Sequence, residues 1–334
     1  MRARDKILGT LYGQAIGDAM GMPSELWPVS KIRTAFNGRI TTFMASPADN
    51  DIGINFERGQ YTDDTNQALA ILDSLIETNW QPEPTNLVDH ILAWADQVDA
   101  WHHNILGPSS KAALLAIKAG QDPRPVTQKA LTNGAAMRIA PIGTLFEPSQ
   151  QDQLVDLVCA VTQITHASDV AYSGAAMVAG AVTAAMVDYS WDEIVTYALQ
   201  CNDQAFGRGA PTWAARTHDR LLLGIELAHH YQGDEAQFSR SLYNLVGTGT
   251  MISESVPAAV AIAYFAQNVH QSALLAANLG GDTDTIGAMA TAICGAKTGF
   301  RAIDSQWCQL IDQQNPQHDL SNYADKLLTN TTKI

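Results

Sequence analysis

Residues 278–296 read NLGGDTDTIGAMATAICGA. Two glycines followed by alternating Asp and Thr have the composition of a helix start. The Ala- and Gly-rich run Ala288–Ala296 behind them lets a second helix backbone approach closely, as in the centre of a helical bundle. Ala175–Ala185 has the same character. A second start, Tyr61-Thr62-Asp63-Asp64-Thr65, precedes apolar residues at helical spacing, namely Ala68, Leu69, Ile71, Leu72, Leu75 and Ile76. Leu154, Val155, Leu157, Val158 and Val161 repeat the pattern after Ser149, whereas strand-like alternation is hardly found. The expected fold class is all-α. Pro-, Gly- and Asn-rich loops are expected at Phe36–Gln60, Asn79–Thr85, Gly120–Pro125 and Asn202–Pro211, and none reads as a long flexible linker. A single domain over residues 1–334 follows, with the polar segment 315–334 at its periphery. Phe36–Gln60 is the longest irregular stretch, and loops of that length are usually functional.

The formal net charge is −14, with 46% hydrophobic and 16% charged residues. That balance gives the chain enough apolar surface for a sizeable core and argues against a nucleic-acid or anionic-membrane surface, which needs clustered Lys and Arg. Neither kind of partner is expected, and the chain is expected to act as a monomer. Cys159, Cys201, Cys294 and Cys308 are widely spaced and form no CxxC pair, the pattern of reduced thiols in the cytoplasm. Arg2, Arg4 and Lys6 before Ile7–Ile16 mimic a secretory leader, but Asp5, Gln14 and Asp18 interrupt it, so no signal peptide is expected. Gly174–Val187 is apolar but falls short of the ~20 residues that span a bilayer, and reads as a buried helix.

The acidic turns carry the chemistry. Thr and Asp at a helix start ordinarily cap free N–H groups. Each of these turns, however, holds more carboxylate and hydroxyl oxygens than capping uses. Asp282 and Asp284 stand two residues apart, so in extended backbone both point to one side, and Gly280-Gly281 permits the sharp approach. An all-oxygen donor set without a Cys/His cluster favours hard cations, Mg²⁺ or Mn²⁺, over Zn²⁺. Four aspartates balance two divalent ions. A third segment, Gly17–Glu25, adds Asp18, which alone reads as a turn cap, and Glu25, which alone reads as a surface acid.

Five segments, GDAMGMPSE (17–25), GQYTDDT (59–65), NGAAMRIAPIG (133–143), THASDVAYSGAA (165–176) and NLGGDTDTIGA (278–288), occur in the order found in the ADP-ribosylglycohydrolases. The chain resembles that family from Ile7 to about Gly299. The resemblance implies a compact all-α bundle with two divalent cations, Mg²⁺ or Mn²⁺, at the base of an ADP-ribose cleft. By position it implies Thr62, Asp63 and Asp64 as ligands of one ion, Asp282 and Thr285 as ligands of the other, and Asp284 as the bridge. It further implies Glu25 as an acid over the site, Asn133, Gly134 and Arg138 as cleft lining, and His166, Ser173 and Gly174 as contacts to ribose or phosphates. One departure stands out. Several members carry Asp, an apolar residue and Gly before a hydroxyl pair, where this chain reads Ile105-Leu106-Gly107-Pro108-Ser109-Ser110.

The implied reaction is metal-dependent hydrolysis of the glycosidic bond between ADP-ribose and a protein or small-molecule carrier. Glu25, Asp63 and Asp284 are the candidate catalytic acids, and Glu25 is the first candidate for proton transfer because the aspartates are occupied by metal. The missing acid at Ile105 predicts a neutral leaving group rather than a guanidinium, unless Asn104, Asp96 or Asp99 fills the gap. A metal-dependent phosphohydrolase, a small N-riboside hydrolase and a non-enzymatic ADP-ribose-binding protein remain as alternatives.

Overall fold

The structure of the chain, a computed structural model, describes residues 2–53, 56–102, 105–187 and 189–331. In chain order the α-helices are α1 (Arg2–Gly21), α2 (Val29–Ala35), α3 (Asp63–Glu77), α4 (Pro84–Gln97), α5 (Pro108–Lys118), α6 (Arg124–Thr127), α7 (Ala140–Gly143), α8 (Gln151–Thr162) and α9 (Asp169–Met186). Then follow α10 (Trp191–Phe206), α11 (Thr217–His230), α12 (Glu235–Ser241), α13 (Ile252–Ala266), α14 (Val269–Ala277), α15 (Thr283–Thr298), α16 (Ser305–Gln314) and α17 (Leu320–Thr331). Among the described residues, β-pairing is limited to isolated bridges such as Trp27 with Gly281 and Thr132 with Met251. The fold is all-α.

Local sequence sets several helix starts in the ordinary way. Ser168 caps α9 by accepting from Ala171 N–H, and Ser190 with Glu193 forms a reciprocal capping box on α10. Helix α9 has the length and composition of a membrane span, but 94% of that window is buried inside the protein. It packs against α7, α8, α10, α13 and α15 as a core helix.

The innermost contact is an antiparallel crossing of α1 and α15. Gly9, Gly13, Gly17 and Gly21 recur every fourth residue, so they line one face of α1. That face meets the backbone of α15. A Cβ on Gly9 would lie 2.2 Å from Gly295 O, one on Gly13 2.3 Å from Thr291 O, one on Gly17 2.1 Å from Gly287 O, and one on Gly21 2.3 Å from Thr283 O. Thr291 Oγ1 donates to Gly13 O at 2.6 Å and Thr283 Oγ1 to Gly21 O at 2.8 Å, tying the two backbones together. The crossing brings the C-terminal end of α1 to the N-terminal end of α15.

An Ala in place of Gly usually stabilises a helix interior by about 0.5–1 kcal/mol. Here the sign reverses. Gly17→Ala is expected to destabilise the protein by roughly 1–3 kcal/mol, because its methyl group meets Gly287 O and Thr291 Oγ1 and cannot be accommodated without parting the helices. Gly207→Ala, with no atom within 4 Å of its Cβ, is the neutral control. Denaturant midpoints measure both, and an unchanged midpoint for Gly17→Ala would show that the backbones are not in contact.

The C-terminal segment adds α17, whose Leu320, Tyr323, Ala324 and Leu327 are buried, and which packs against α1. Asn315, also buried, donates to Gly59 O at 2.9 Å and accepts from Tyr61 N–H at 3.3 Å. The backbone leading into Thr62 is thereby fixed from the far end of the chain.

Candidate metal centre and cleft

Helices α1, α3 and α15 each deliver carboxylates to one place. Asp18, fully buried on α1, accepts from Thr62 N–H at 2.8 Å, Thr65 N–H at 3.0 Å and Thr65 Oγ1 at 2.6 Å. It therefore caps α3 from a neighbouring helix. Thr62 and Asp282 occupy the N-cap positions of α3 and α15, yet neither side chain accepts a capping hydrogen bond. The oxygens that look like caps in the sequence are turned toward one another.

Two groups of carboxylate oxygens result, each with its members within 4.8 Å of one another: Asp18, Asp64 and Asp284, and Glu25, Asp282 and Asp284. Asp284 belongs to both. Thr62 Oγ1 donates to Asp64 Oδ2 at 3.3 Å, and Thr285 lines the cleft beside them. Asp63 stands outside both groups, lines the adjoining cleft, and accepts from Gln67 Nε2 at 2.9 Å. Asp64 Oδ1 and Asp284 Oδ1 are buried with no hydrogen-bond partner. Buried carboxylate oxygens without partners are costly unless a proton or a cation satisfies them.

The expectation that Asp282 and Asp284 share extended backbone is corrected. Asp282, at φ −84° and ψ 70°, lies just outside α15, whereas Asp284 is in its first turn. The carboxylates still converge because only the first of the pair is non-helical. Gly280 and Gly281 precede them at φ 82° and 85°, a region that L side chains rarely adopt, and a Cβ on Gly281 would lie 2.2 Å from Thr248 O. Asp282 N–H donates to that same carbonyl at 2.7 Å.

Glu25 reaches the second group from a turn clamped onto this backbone. Leu26 N–H donates to Gly281 O at 2.8 Å and Gly281 N–H to Trp27 O at 3.0 Å. Leu26 is held at φ 57°, a strained conformation for a branched residue, as is found at sites whose geometry is over-determined by their surroundings. Asn50 Nδ2 donates to Glu25 O at 3.3 Å, which engages the long loop expected at Phe36–Gln60.

Crowding shows in the acidities. Burial raises Asp282, and burial with neighbouring negative charge raises Glu25, Asp64 and Asp284 well above the ordinary carboxylate range. Burial pushes Asp18 up to about 6, and burial with the Asp18 and Asp282 charges pushes Asp63 up to about 8. A cation held here would replace the protons that such groups otherwise retain.

The cleft beside the carboxylates has a volume of about 440 Å³. Asn133 and Gly134 line it. Asn133 Nδ2 donates to Asp282 Oδ2 at 2.5 Å and to Ser255 Oγ at 3.0 Å. A Cβ on Gly134 would lie 2.9 Å from His166 Cε1 and 3.1 Å from Ser110 Oγ, so a side chain there would meet both. The far wall carries Ile105, Leu106 and Pro108, with Lys111 donating from Nζ to Trp101 O at 2.6 Å.

Arg138 and His166 lie beneath the cleft rather than in its wall, a correction to the expected contacts. Arg138 is fully buried; Nη1 donates to Gln67 Oε1 and Nη2 to Thr165 Oγ1 at 2.6 Å. Through Gln67 it orients Asp63. His166 Nδ1 is 2.8 Å from Thr165 Oγ1 and Nε2 3.0 Å from Thr132 Oγ1, and burial lowers its pKa to about 3, leaving it neutral. Ser173 and Gly174 are also corrected. They face the interior on α9, where Ser173 Oγ donates to Val170 O and a Cβ on Gly174 would lie 2.6 Å from Ile252. Of the substitutes for the missing acid, Asp96 accepts from Trp101 Nε1 and Lys118, Asp99 pairs with His102, neither lines the cleft, and Asn104 lies outside the described residues.

A sequence profile for ADP-ribosylglycohydrolases matches residues 1–333. The chain is 43% identical over 324 residues to the uncharacterized protein YegU of Escherichia coli (strain K12), covering 97% of this chain and 96% of that protein. It is 24% identical to the ADP-ribosyl-[dinitrogen reductase] glycohydrolase of Rhodospirillum rubrum, covering 97% and 96% respectively. In fold it is similar to a solved structure described as an ADP-ribosylglycohydrolase-related protein complex, with a TM-score of 0.72, 22% identity and 99% of each chain covered.

Proposed function

The chain belongs to the ADP-ribosylglycohydrolase family, and from that premise we propose that it is a divalent-cation-dependent enzyme that hydrolyses the bond between C1 of a terminal ADP-ribose and its carrier. The observation that carries the cation dependence is the pair of carboxylate groups sharing Asp284, with buried oxygens of Asp64 and Asp284 left unpartnered. Hydroxyl and carboxylate oxygens suit Mg²⁺ or Mn²⁺. Thr62, Asp63, Asp64, Asp282, Asp284 and Thr285 are the proposed ligands, and Asp18 joins them. When bound, such ions hold the ribose diol and lower the pKa of water.

The protein's own residues then have distinct tasks. Cleavage at C1 passes through a cation-like sugar, with water adding to C1, its proton leaving to a base, and the carrier atom departing with the bonding pair. Glu25 is the proposed base and returns the proton to the departing atom. Asn133 and Gly134 fix the sugar against the floor. The N-terminal end of α5 and Lys111 face the cleft and suit the diphosphate, since free N–H groups and a cation both favour an anion. The free thiols Cys159, Cys201, Cys294 and Cys308 suit a reducing cytoplasm.

The test is a hydrolysis panel of Arg-, Ser-, Asn- and Thr-linked ADP-ribose and plain nucleosides, run after chelation and again with Mg²⁺ or Mn²⁺ restored. Release of ADP-ribose only with metal is the expected result. Full turnover in excess chelator refutes the cation, and faster cleavage of plain nucleosides refutes the substrate class. Within the panel, neutral linkages are expected to be cleaved roughly 10–100-fold faster than the arginine linkage, because a guanidinium forfeits its charge-assisted partner. Ile105 offers no carboxylate, and Lys111 in the same wall repels a cation. Matched kcat/KM values decide it, and faster release from arginine overturns the reading.

A further inference from the structure

A second and larger cavity, of about 860 Å³, lies outside the cleft and shares no lining residue with it. Its wall holds Arg33, Arg39 and Arg240 against one acid, Glu235. In a chain with 34 acidic and 20 basic residues this is a local reversal of charge. Arg39 pairs with Glu235 at 3.2 Å, whereas Arg33 and Arg240 have no ion pair among the described residues. Ile32 and Leu279 supply an apolar floor, and Tyr243 an aromatic face.

The backbone that presents Tyr243 is unusual. Residues Leu242–Val246 form a turn of π-helix, a rare geometry frequently found at functional sites. Tyr243 packs behind the catalytic turn, since a Cβ on Gly280 would lie 3.1 Å from its Cε2 and 3.0 Å from Val29 Cγ2. The groove therefore backs onto the backbone that carries Asp282.

We propose that this groove is a second ligand site, separate from the cleft, that binds a phosphate-bearing molecule with a planar apolar body, a nucleotide. Arginine forks match phosphate oxygens, and the volume lies within the range of small-molecule sites. Tyr243 and the apolar floor accept the base. The assignment rests on the groove alone and does not depend on the reaction proposed for the cleft.

The experiment titrates the full chain calorimetrically with AMP, with adenosine and inorganic phosphate as separate arms. Asp64→Asn reports on the cleft and Arg33→Gln and Arg240→Gln on the groove, with thermal midpoints confirming that each variant is folded. AMP binding is expected to be unchanged in Asp64→Asn and weakened about tenfold by each arginine substitution. Both adenosine and phosphate alone are expected to bind more weakly than AMP. The proposal is overturned if AMP fails to bind at millimolar concentration, if binding is lost in Asp64→Asn and kept in the arginine variants, or if phosphate or adenosine alone binds as tightly as AMP.

Discussion

Asp284→Asn is expected to lower hydrolysis by about 10³-fold or more and, in the same protein, to raise the unfolding temperature measured without metal. The loss follows from the place of Asp284 in both carboxylate groups. Electrostatic stabilisation by bound metal is worth several kcal/mol, at about 1.4 kcal/mol per factor of ten in rate. The gain follows from the same crowding. Burial and the charges of Asp64, Asp282 and Asp18 raise the Asp284 carboxyl far above its usual range, so the metal-free fold carries repulsion that the isosteric amide removes. A rise of a few °C corresponds to roughly 1–2 kcal/mol in a chain of this size. The pH dependence has a definite sign. Asp63 is pushed up to about 8 and Asp18 to about 6, so the folded cluster holds protons that an unfolded chain has released above pH ~4. Stability from this source is full at low pH and is lost as pH rises toward 8. His166 works the opposite way, being held neutral down to about 3, so its contribution is lost as pH falls below ~6.5, where an unfolded histidine gains a proton. Between pH 8 and 6.5 the acids dominate, and the metal-free wild type is expected to gain stability on acidification while Asp284→Asn gains less. Scanning calorimetry of both proteins with chelator present measures this. A wild type whose stability is flat or rises with pH over that window would sink the repulsion argument.

The parts of this site legible in the sequence are those where chemistry is local. Thr62-Asp63-Asp64 and Asp282-Thr283-Asp284-Thr285 stand out because a helix start has use for one capping oxygen, and the structure turns those side chains away from capping. The all-α class is legible for a similar reason, since apolar spacing and Ala-rich runs are properties of single segments. Asp18 is different. Alone it reads as a turn cap, and its role appears only when α1 crosses α15 and puts it under Thr62 and Thr65. A signal was present in the four-residue spacing of Gly9, Gly13, Gly17 and Gly21, which marks a face built for backbone contact. Arg138 and His166 sit in two segments that the resemblance associates with the cleft, but depth beneath a surface is a tertiary property. Burial makes one a support for Gln67 and the other a neutral link between Thr132 and Thr165. Ser173 and Gly174 lie in α9, which is buried from its first residue onward, and that burial is likewise a tertiary property.

Glu25→Gln is expected to reduce turnover by ~10²–10⁴-fold, the usual contribution of a positioned proton-transfer group, while leaving ADP-ribose affinity within a few-fold of wild type. Glu25 belongs to the same oxygen group as Asp282 and Asp284, so two roles compete: proton transfer and metal ligation. The backbone argues for a residue aimed rather than merely attached. Its turn is fixed by Leu26 N–H on Gly281 O and by Asn50 on its own carbonyl, with Leu26 at φ 57° holding the strain. An amide keeps the shape and can still offer an oxygen to a cation, but it cannot accept and return a proton at neutral pH. The two roles therefore separate in one experiment. Turnover is measured over a wide range of Mg²⁺ or Mn²⁺ concentration, alongside ADP-ribose binding by calorimetry. Low turnover that persists at saturating metal supports proton transfer. Recovery toward the wild-type rate as metal is raised would show that Glu25 serves as a ligand, and Asp63, which lines the cleft outside both oxygen groups, would then be the base instead of a metal ligand.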